Sequence, residues 1–259
     1  MAESTLSISY TDLQKEVGHF LGYKGESATW GADKVAEVDR YIQSGVRRFY
    51  YPPAMEGVEA GYEWSFMRPT ATIETVAAGE AQDLPDDFGR IIGDLFCTPD
   101  VSRNSIVVVG EGRMLSLWQR GDPAGLPRYA AVRHKESDGA TGQRLQVMWW
   151  PVPSDAFTIT YRYESYAGKL TTAKPYPLGG MRHSELILES CLAVAEQRAN
   201  DELGLHGERF GALLAAGIAQ DRRNGPRHYG HLGKGTVPAL SSDRFGVSTY
   251  PVTYKGETW

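Results

Sequence analysis

The chain has 259 residues, 41% hydrophobic and 23% charged, with a formal net charge of −5. That composition excludes wholesale disorder, and the acidic balance argues against a surface built to neutralise nucleic-acid phosphates. No run approaches the roughly 18 apolar residues of a membrane span. The opening MAESTLSISY has neither the basic nor the apolar region of a secretory signal. The expectation is a soluble protein made in a cytoplasm.

Residues 9–21 read as a first helix, with Leu13, Val17 and Phe20/Leu21 on one face, Ser9 as N-cap and Gly22 at the end. A second runs from an Asp33 cap to about Tyr50; Val35, Val38, Ile42, Val46 and Phe49 form its stripe, and Pro52-Pro53 stop it. Trp64 and Phe66 are expected to cover a seam between helices and sheet. The period then changes to two. Strands are predicted over 70–76, 91–97 and 105–109, with a weaker one over 115–118, and 77–82 reads as a turn region. Three further strand-like runs fill 125–166. Leu145, Val147 and Trp149 alternate in one, and Phe157, Ile159, Tyr161 and Tyr163 in the next; Asp138-Gly139 marks a tight turn. Short strands separated by Gly, Pro and Asp suggest an antiparallel sandwich or barrel rather than a parallel sheet.

After residue 166 the helical period returns. Residues 181–203 form the strongest helix, from Leu186 through Cys191 to Leu203, and 207–223 form another, on Phe210, Leu213, Leu214, Gly217 and Ile218. The short joint between them implies an antiparallel hairpin. The predicted fold is therefore α+β: a four-helix bundle-like domain from 1–67 and 167–225, an inserted antiparallel β-sandwich or barrel over 68–166, and an extended C-terminal arm over 226–259. The arm has no sustained period but carries Arg227, Tyr229, Leu232, Phe245, Tyr250, Tyr254 and Trp259. Solvated linkers are usually poorer in aromatics, so it reads either as an arm that docks on a partner or as a tail folded back on its own domain.

No catalytic constellation stands out. Asp86-Asp87 are adjacent, and neighbours on extended backbone point to opposite sides. His228 and His231 have no acidic or Cys partner at metal spacing. Gly233-Lys234-Gly235-Thr236 lacks the spacing of a phosphate loop, and Gly110-Glu111-Gly112 is read between short strands rather than before a helix. His183 and His206 read as capping or surface residues. Cys97 and Cys191 read as buried, reduced thiols. Trp118, Trp149, Trp150, Tyr161 and Tyr163 read first as core and second as a sugar-stacking face.

What stands out is an order of motifs. Trp64-Ser65-Phe66 comes first, then Leu84-Pro85-Asp86-Asp87-Phe88. Gly125-Leu126-Pro127-Arg128-Tyr129 follows, then Trp149-Trp150-Pro151-Val152-Pro153 and Tyr161-Arg162-Tyr163. An Ala-rich helical hairpin closes the series, with Ala195-Glu196 and Asp221 near its ends. Over residues 9–224 this layout resembles the head-to-tail adaptor (connector) proteins of tailed bacteriophages. The resemblance implies a non-enzymatic virion protein without cofactor or metal. It would form a dodecameric ring under the portal after DNA packaging, extend the DNA channel without binding DNA sequence-specifically, and present a platform to a nozzle or tail-tube protein. The arm residues Arg227 to Trp259 would then bind the portal or a neighbouring copy. The alternative is a β-sandwich carbohydrate-binding protein using exposed tryptophans such as Trp150, and a third reading is a hydrolase whose site assembles across the fold.

Overall fold

The computed structural model describes residues 3–54, 61–121, 123–137, 139–140, 142–202, 204–224, 253–254 and 257–258. The chain divides into two units, Met1–Gly225 and Pro226–Trp259. The first is α+β, with five α-helices among the described residues and a curled mixed sheet.

Helix α1 (Tyr10–Phe20) begins with a capping box: the Ser9 hydroxyl accepts from the Asp12 amide, and the Asp12 carboxylate accepts from the Ser9 amide at 3.0 Å. Helix α2 (Ala32–Tyr50) is capped by Gly31, with Asp33 in its first turn rather than at the cap. Helices α4 (Ser184–Asn200) and α5 (Leu205–Asn224) form the C-terminal pair. These four share one hydrophobic core, with Leu13 and Val17 from α1, Ile42 and Phe49 from α2, Ile187 and Cys191 from α4, and Phe210 and Leu214 from α5. The centre is α4, buried from Leu186 to Glu196 on nearly every side. Its approach to α2 is close because Gly45 has no side chain. A Cβ there would lie 2.5 Å from the Cys191 Cα, and the Ser190 hydroxyl donates to the Gly45 carbonyl at 2.7 Å.

Ten short strands lie between the helical halves: β1 (Thr70–Glu74), β2 (Ala81–Asp83), β3 (Phe88–Ile91), β4 (Leu95–Cys97), β5 (Ser105–Val108), β6 (Ala124–Gly125), β7 (Tyr129–His134), β8 (Leu145–Trp150), β9 (Val152–Pro153) and β10 (Thr158–Ser165). Eight make one sheet in the order β1-β10-β4-β5-β7-β8-β2, with β3 also on β10. The run expected as one strand over 91–97 is thus two, broken at Gly93, where φ is 79°, and both segments pair with β10. The inner face packs Leu95, Ile106, Val147, Trp149, Ile159 and Tyr161.

The expectation of a purely antiparallel sandwich or barrel is corrected. Strands β5 and β7 pair in parallel, as do β6 and β9. The cause is helix α3 (Glu111–Trp118), which occupies the connection between β5 and β7 and so brings the chain back in the same direction. The strand expected over 115–118 is the second half of this helix. Met114 and Leu117 recur at helical spacing and are buried, Met114 in a small cluster with Ala131 and Met148 against β7 and β8. It follows that Gly110 caps a helix, against the expectation that Gly110-Glu111-Gly112 lies between strands. Leu115 stands where a dinucleotide fingerprint needs its third glycine.

Within the second unit, Thr253–Tyr254 and Glu257–Thr258 form a two-stranded antiparallel pair, Tyr254 opposite Glu257. Among the described residues no helix is long and apolar enough to cross a membrane.

Candidate functional site

The motifs read in sequence order meet in space as structural joints. Trp64 is fully buried, in the helical core rather than at a helix–sheet seam. Its indole nitrogen donates to the Phe49 carbonyl at 2.9 Å, and the rings of Phe49, Phe66 and His183 surround it. Asp221, near the end of α5, fixes this step from outside. Its carboxylate accepts from the Tyr62 hydroxyl at 2.7 Å, the Ser65 amide at 2.9 Å and the Ser65 hydroxyl at 2.5 Å. Burial, followed by that carboxylate, raises the Tyr62 hydroxyl well above its ordinary value. The segment leading from helices to sheet is therefore anchored to the last turn before residue 225.

The Leu84–Phe88 and Tyr161–Tyr163 motifs form a second joint. Leu84 and Phe88 are buried in the sheet core, and the Phe88 ring stacks on Tyr163 with centroids 5.5 Å apart. Between them Asp87 accepts from the Tyr163 hydroxyl at 3.0 Å and the Ser165 hydroxyl at 2.8 Å. Burial and the Asp87 carboxylate push the Tyr163 hydroxyl up to about 12. Asp86 turns the other way and meets Arg144, so the two carboxylates diverge as expected and form no acid–base pair. A third joint brings Tyr129 opposite Trp150 and Gly125 opposite Pro153, with the Arg128 amide donating to the Trp150 carbonyl at 2.9 Å. Across the helix–sheet boundary, Glu63 accepts from Arg68 at 2.8 Å and also pairs with Arg90, which reaches Glu164 at 2.7 Å.

The remaining chemical candidates are structural. His183 stands at the N-cap position of α4 without a side-chain capping bond, and its ring is buried among aromatic rings rather than at the surface; burial lowers its basicity. His206 is half-buried and its Nδ1 lies 2.7 Å from the Glu189 carboxylate. Cys97 and Cys191 are free and buried as expected; burial raises both thiols, Cys191 to about 12, which leaves them without thiolate reactivity. Trp149, Tyr161 and Tyr163 are core, while Trp150 is half-buried with its indole donating to the Gly121 carbonyl. No group of three or more His, Cys, Asp or Glu able to hold a metal occurs among the described residues.

Of the predicted arm residues, Tyr254 falls on a short strand. Arg227, Tyr229, Leu232, Phe245, Tyr250 and Trp259 lie outside the described residues, as do His228, His231 and the Gly233–Thr236 stretch.

Sequence reasoning missed an exposed aromatic groove of about 620 Å³ where the segment after β10 crosses the end of α2. Tyr166, Tyr176 and Leu178 line it together with Asp86, Asp87, Lys169 and Lys174, and beside it Tyr51 packs its ring against Tyr166 at 6.1 Å. The available signal was apolar residues inside a Pro/Gly-rich connection, Pro175-Tyr176-Pro177-Leu178-Gly179. The molecule thus offers braced joints and an exposed groove of mixed aromatic and charged lining. No curated protein sequence matches the chain. The model of the SU10 adaptor protein family does, over residues 8–230, and the chain belongs to that family of phage head-to-tail adaptors.

Proposed function

We propose that the chain forms a dodecameric ring in the virion neck, between the portal and the tail, and extends the channel through which DNA passes. The family match over residues 8–230 carries this reading. The joints support it: a part that bears load between two assemblies benefits from motifs tied to one another by core aromatics and buried hydrogen bonds. The acidic balance suits a channel wall that lets DNA slide.

In this reading, residues 1–67 and 167–225 make a helical domain that packs around the ring and against the portal. Residues 68–166 project toward the next tail component, a nozzle or tail-tube protein. Residues 226–259 form an arm that binds the portal or a neighbouring copy through Arg227, Tyr229, Leu232, Phe245, Tyr250, Tyr254 and Trp259. The protein has no catalytic role.

Truncation tests the arm. A chain ending at Gly225 is expected to keep its helical circular dichroism and to lose at least tenfold in affinity for portal rings in sedimentation binding. Full-chain protein that ignores the portal would overturn the adaptor reading, whereas undiminished binding by the truncated chain would remove only the arm's role.

A further inference from the structure

One long edge of the sheet is open. Strand β1 ends the sheet, and among the described residues it pairs with β10 alone. The Tyr163 amide donates to the Pro69 carbonyl at 3.2 Å, and the Thr75 amide donates to the Phe157 carbonyl at 3.0 Å. Backbone groups along an antiparallel pair alternate in direction. Residues 69, 71, 73 and 75 therefore bond to β10, while Thr70, Thr72 and Glu74 turn their amides and carbonyls away from it. One of these groups, the Glu74 carbonyl, accepts from the Gln82 side chain at 2.7 Å. The side chains of Thr70, Thr72 and Glu74 are all exposed.

Exposed edges are normally blunted by Lys, by Pro, by a bulge or by great shortness. Thr70–Glu74 holds no Lys or Pro, and its register with β10 runs unbroken over all five residues. The other end strand, β2, is three residues long and finishes on the Asp83–Lys135 ion pair. The inner side of the β1 edge is incomplete as well. Ala71 and Ile73 face the sheet core but are only half-buried. Gln82 Oε1 and, diagonal to it on β8, Trp149 Nε1 are buried atoms without a hydrogen-bond partner among the described residues. An added strand would cover Ala71 and Ile73 and could bring a polar side chain to Gln82. Extended polypeptide repeats a donor and an acceptor on one side about every 7 Å, the spacing that Thr70 and Thr72 present. The charges at the two ends differ in sign: Arg162 is exposed opposite Thr70, and Glu74 is exposed at the far end.

We propose that the open edge of β1, Thr70–Glu74, accepts an extended segment of the next tail component as an added strand. The segment is apolar where it lies beside Ala71 and Ile73, acidic near Arg162 and basic near Glu74. This rests on the adaptor reading, in which residues 68–166 meet that component, and it names the contact. A second copy of β1 does not fit the same place in a ring: like edges pair about a two-fold axis and stop at a dimer.

Hydrogen exchange resolved to single amides tests it. The samples are the free chain, rings assembled on portal rings of the same phage, and necks purified from virions with the tail component attached. The Thr70 and Thr72 amides should exchange fast in the first two samples and at least tenfold more slowly in the third. Ala71 and Ile73, bonded to β10, should be slow in all three. Phage carrying Thr72→Pro, which removes an outward amide and spares the bonds to β10, should add the ring to the portal but attach tails at least tenfold less often. Thr72→Ala keeps the amide and should attach tails as the parent does. Should the proline variant fail to fold, the exchange pattern of the parent decides alone. Thr70 and Thr72 amides that stay fast in necks bearing the tail component would overturn the inference and leave the adaptor reading intact. Protection already present in rings on the portal would give the edge to a neighbouring copy or to the portal, and would overturn it too. A chain that joins no portal ring would defeat the adaptor reading first and this inference with it.

Discussion

Replacing Trp64 with alanine is expected to destabilise the protein by about 3–5 kcal/mol, the usual cost of emptying a fully buried large aromatic position. Trp64 has no exposed surface, and its ring meets Phe49, Tyr62, Phe66 and His183 at centroid distances of 5.1 to 5.4 Å. Alanine removes these contacts together and also leaves the Phe49 carbonyl without its 2.9 Å donor. Native stabilities of roughly 5–15 kcal/mol make such a loss a large fraction of the whole. At ~2–4 °C per kcal/mol for a chain of this size, the melting temperature should fall by about 6–20 °C. Thermal unfolding followed by far-ultraviolet circular dichroism checks this. Trp64→Phe should recover part of the loss, since a smaller ring refills some of the volume but cannot donate to Phe49. A shift below about 2 °C for the alanine variant would mean that the site collapses around the gap and that Trp64 does not organise the core.

The second large effect is one of sign. On helix propensity alone, Gly45→Ala within α2 should stabilise by about 1 kcal/mol. The structure predicts the opposite, a loss of about 1–3 kcal/mol through overpacking. A Cβ on Gly45 meets the Cys191 Cα at 2.5 Å and the Cys191 amide nitrogen at 2.8 Å, so backbone must move rather than a side-chain tip. Trimming the neighbour with Cys191→Ala should therefore fail to rescue the variant. Gly217→Ala makes the contrast: its nearest neighbours are the ends of Leu186 and Trp64, at 3.2 and 3.5 Å. Urea unfolding of all three variants decides it, and a Gly45→Ala protein as stable as the parent would show that α2 and α4 are not locked at this crossing.

The helices were the most legible part of the chain because their signals were redundant. Helix α1 has an apolar stripe and a capping box, α2 a five-residue stripe and a proline stop, and α4 apolar residues around most of its circumference. Strands β8 and β10 were legible from strict alternation. Strand β2 was not, because three residues of ordinary propensity become a strand only by pairing with β8. Helix α3 was read as a strand because Leu115-Ser116-Leu117-Trp118 alternates over four residues, too short a window to separate a period of two from 3.6. That single misreading also hid the parallel pairing of β5 with β7, since without a crossover the chain has no means of returning in the same direction.

The joints were partly legible. The motifs were recognisable in order, but nothing in one dimension says that Asp87 reaches Tyr163 or that Asp221 reaches Ser65, 156 residues away. The aromatic groove was illegible for the same reason. Tyr51 follows a helix, Tyr166 follows a strand and Tyr176 sits between prolines, and only packing sets Tyr166 against Tyr51 and beside Tyr176 in the groove wall. The terminal aromatics gave the opposite case, a compositional signal strong enough to suggest docking without any geometry.

The central claim is the proposed one, that this chain joins a portal ring as a neck adaptor, and its assembly there is expected to be templated by the portal. Mass by light scattering, for the full chain alone and then with portal rings of the same phage, tests it most directly. The account predicts a monomer alone, and with the portal a complex holding one copy per portal subunit. A chain that stays monomeric beside the portal, or that assembles to the same mass without it, would contradict the account.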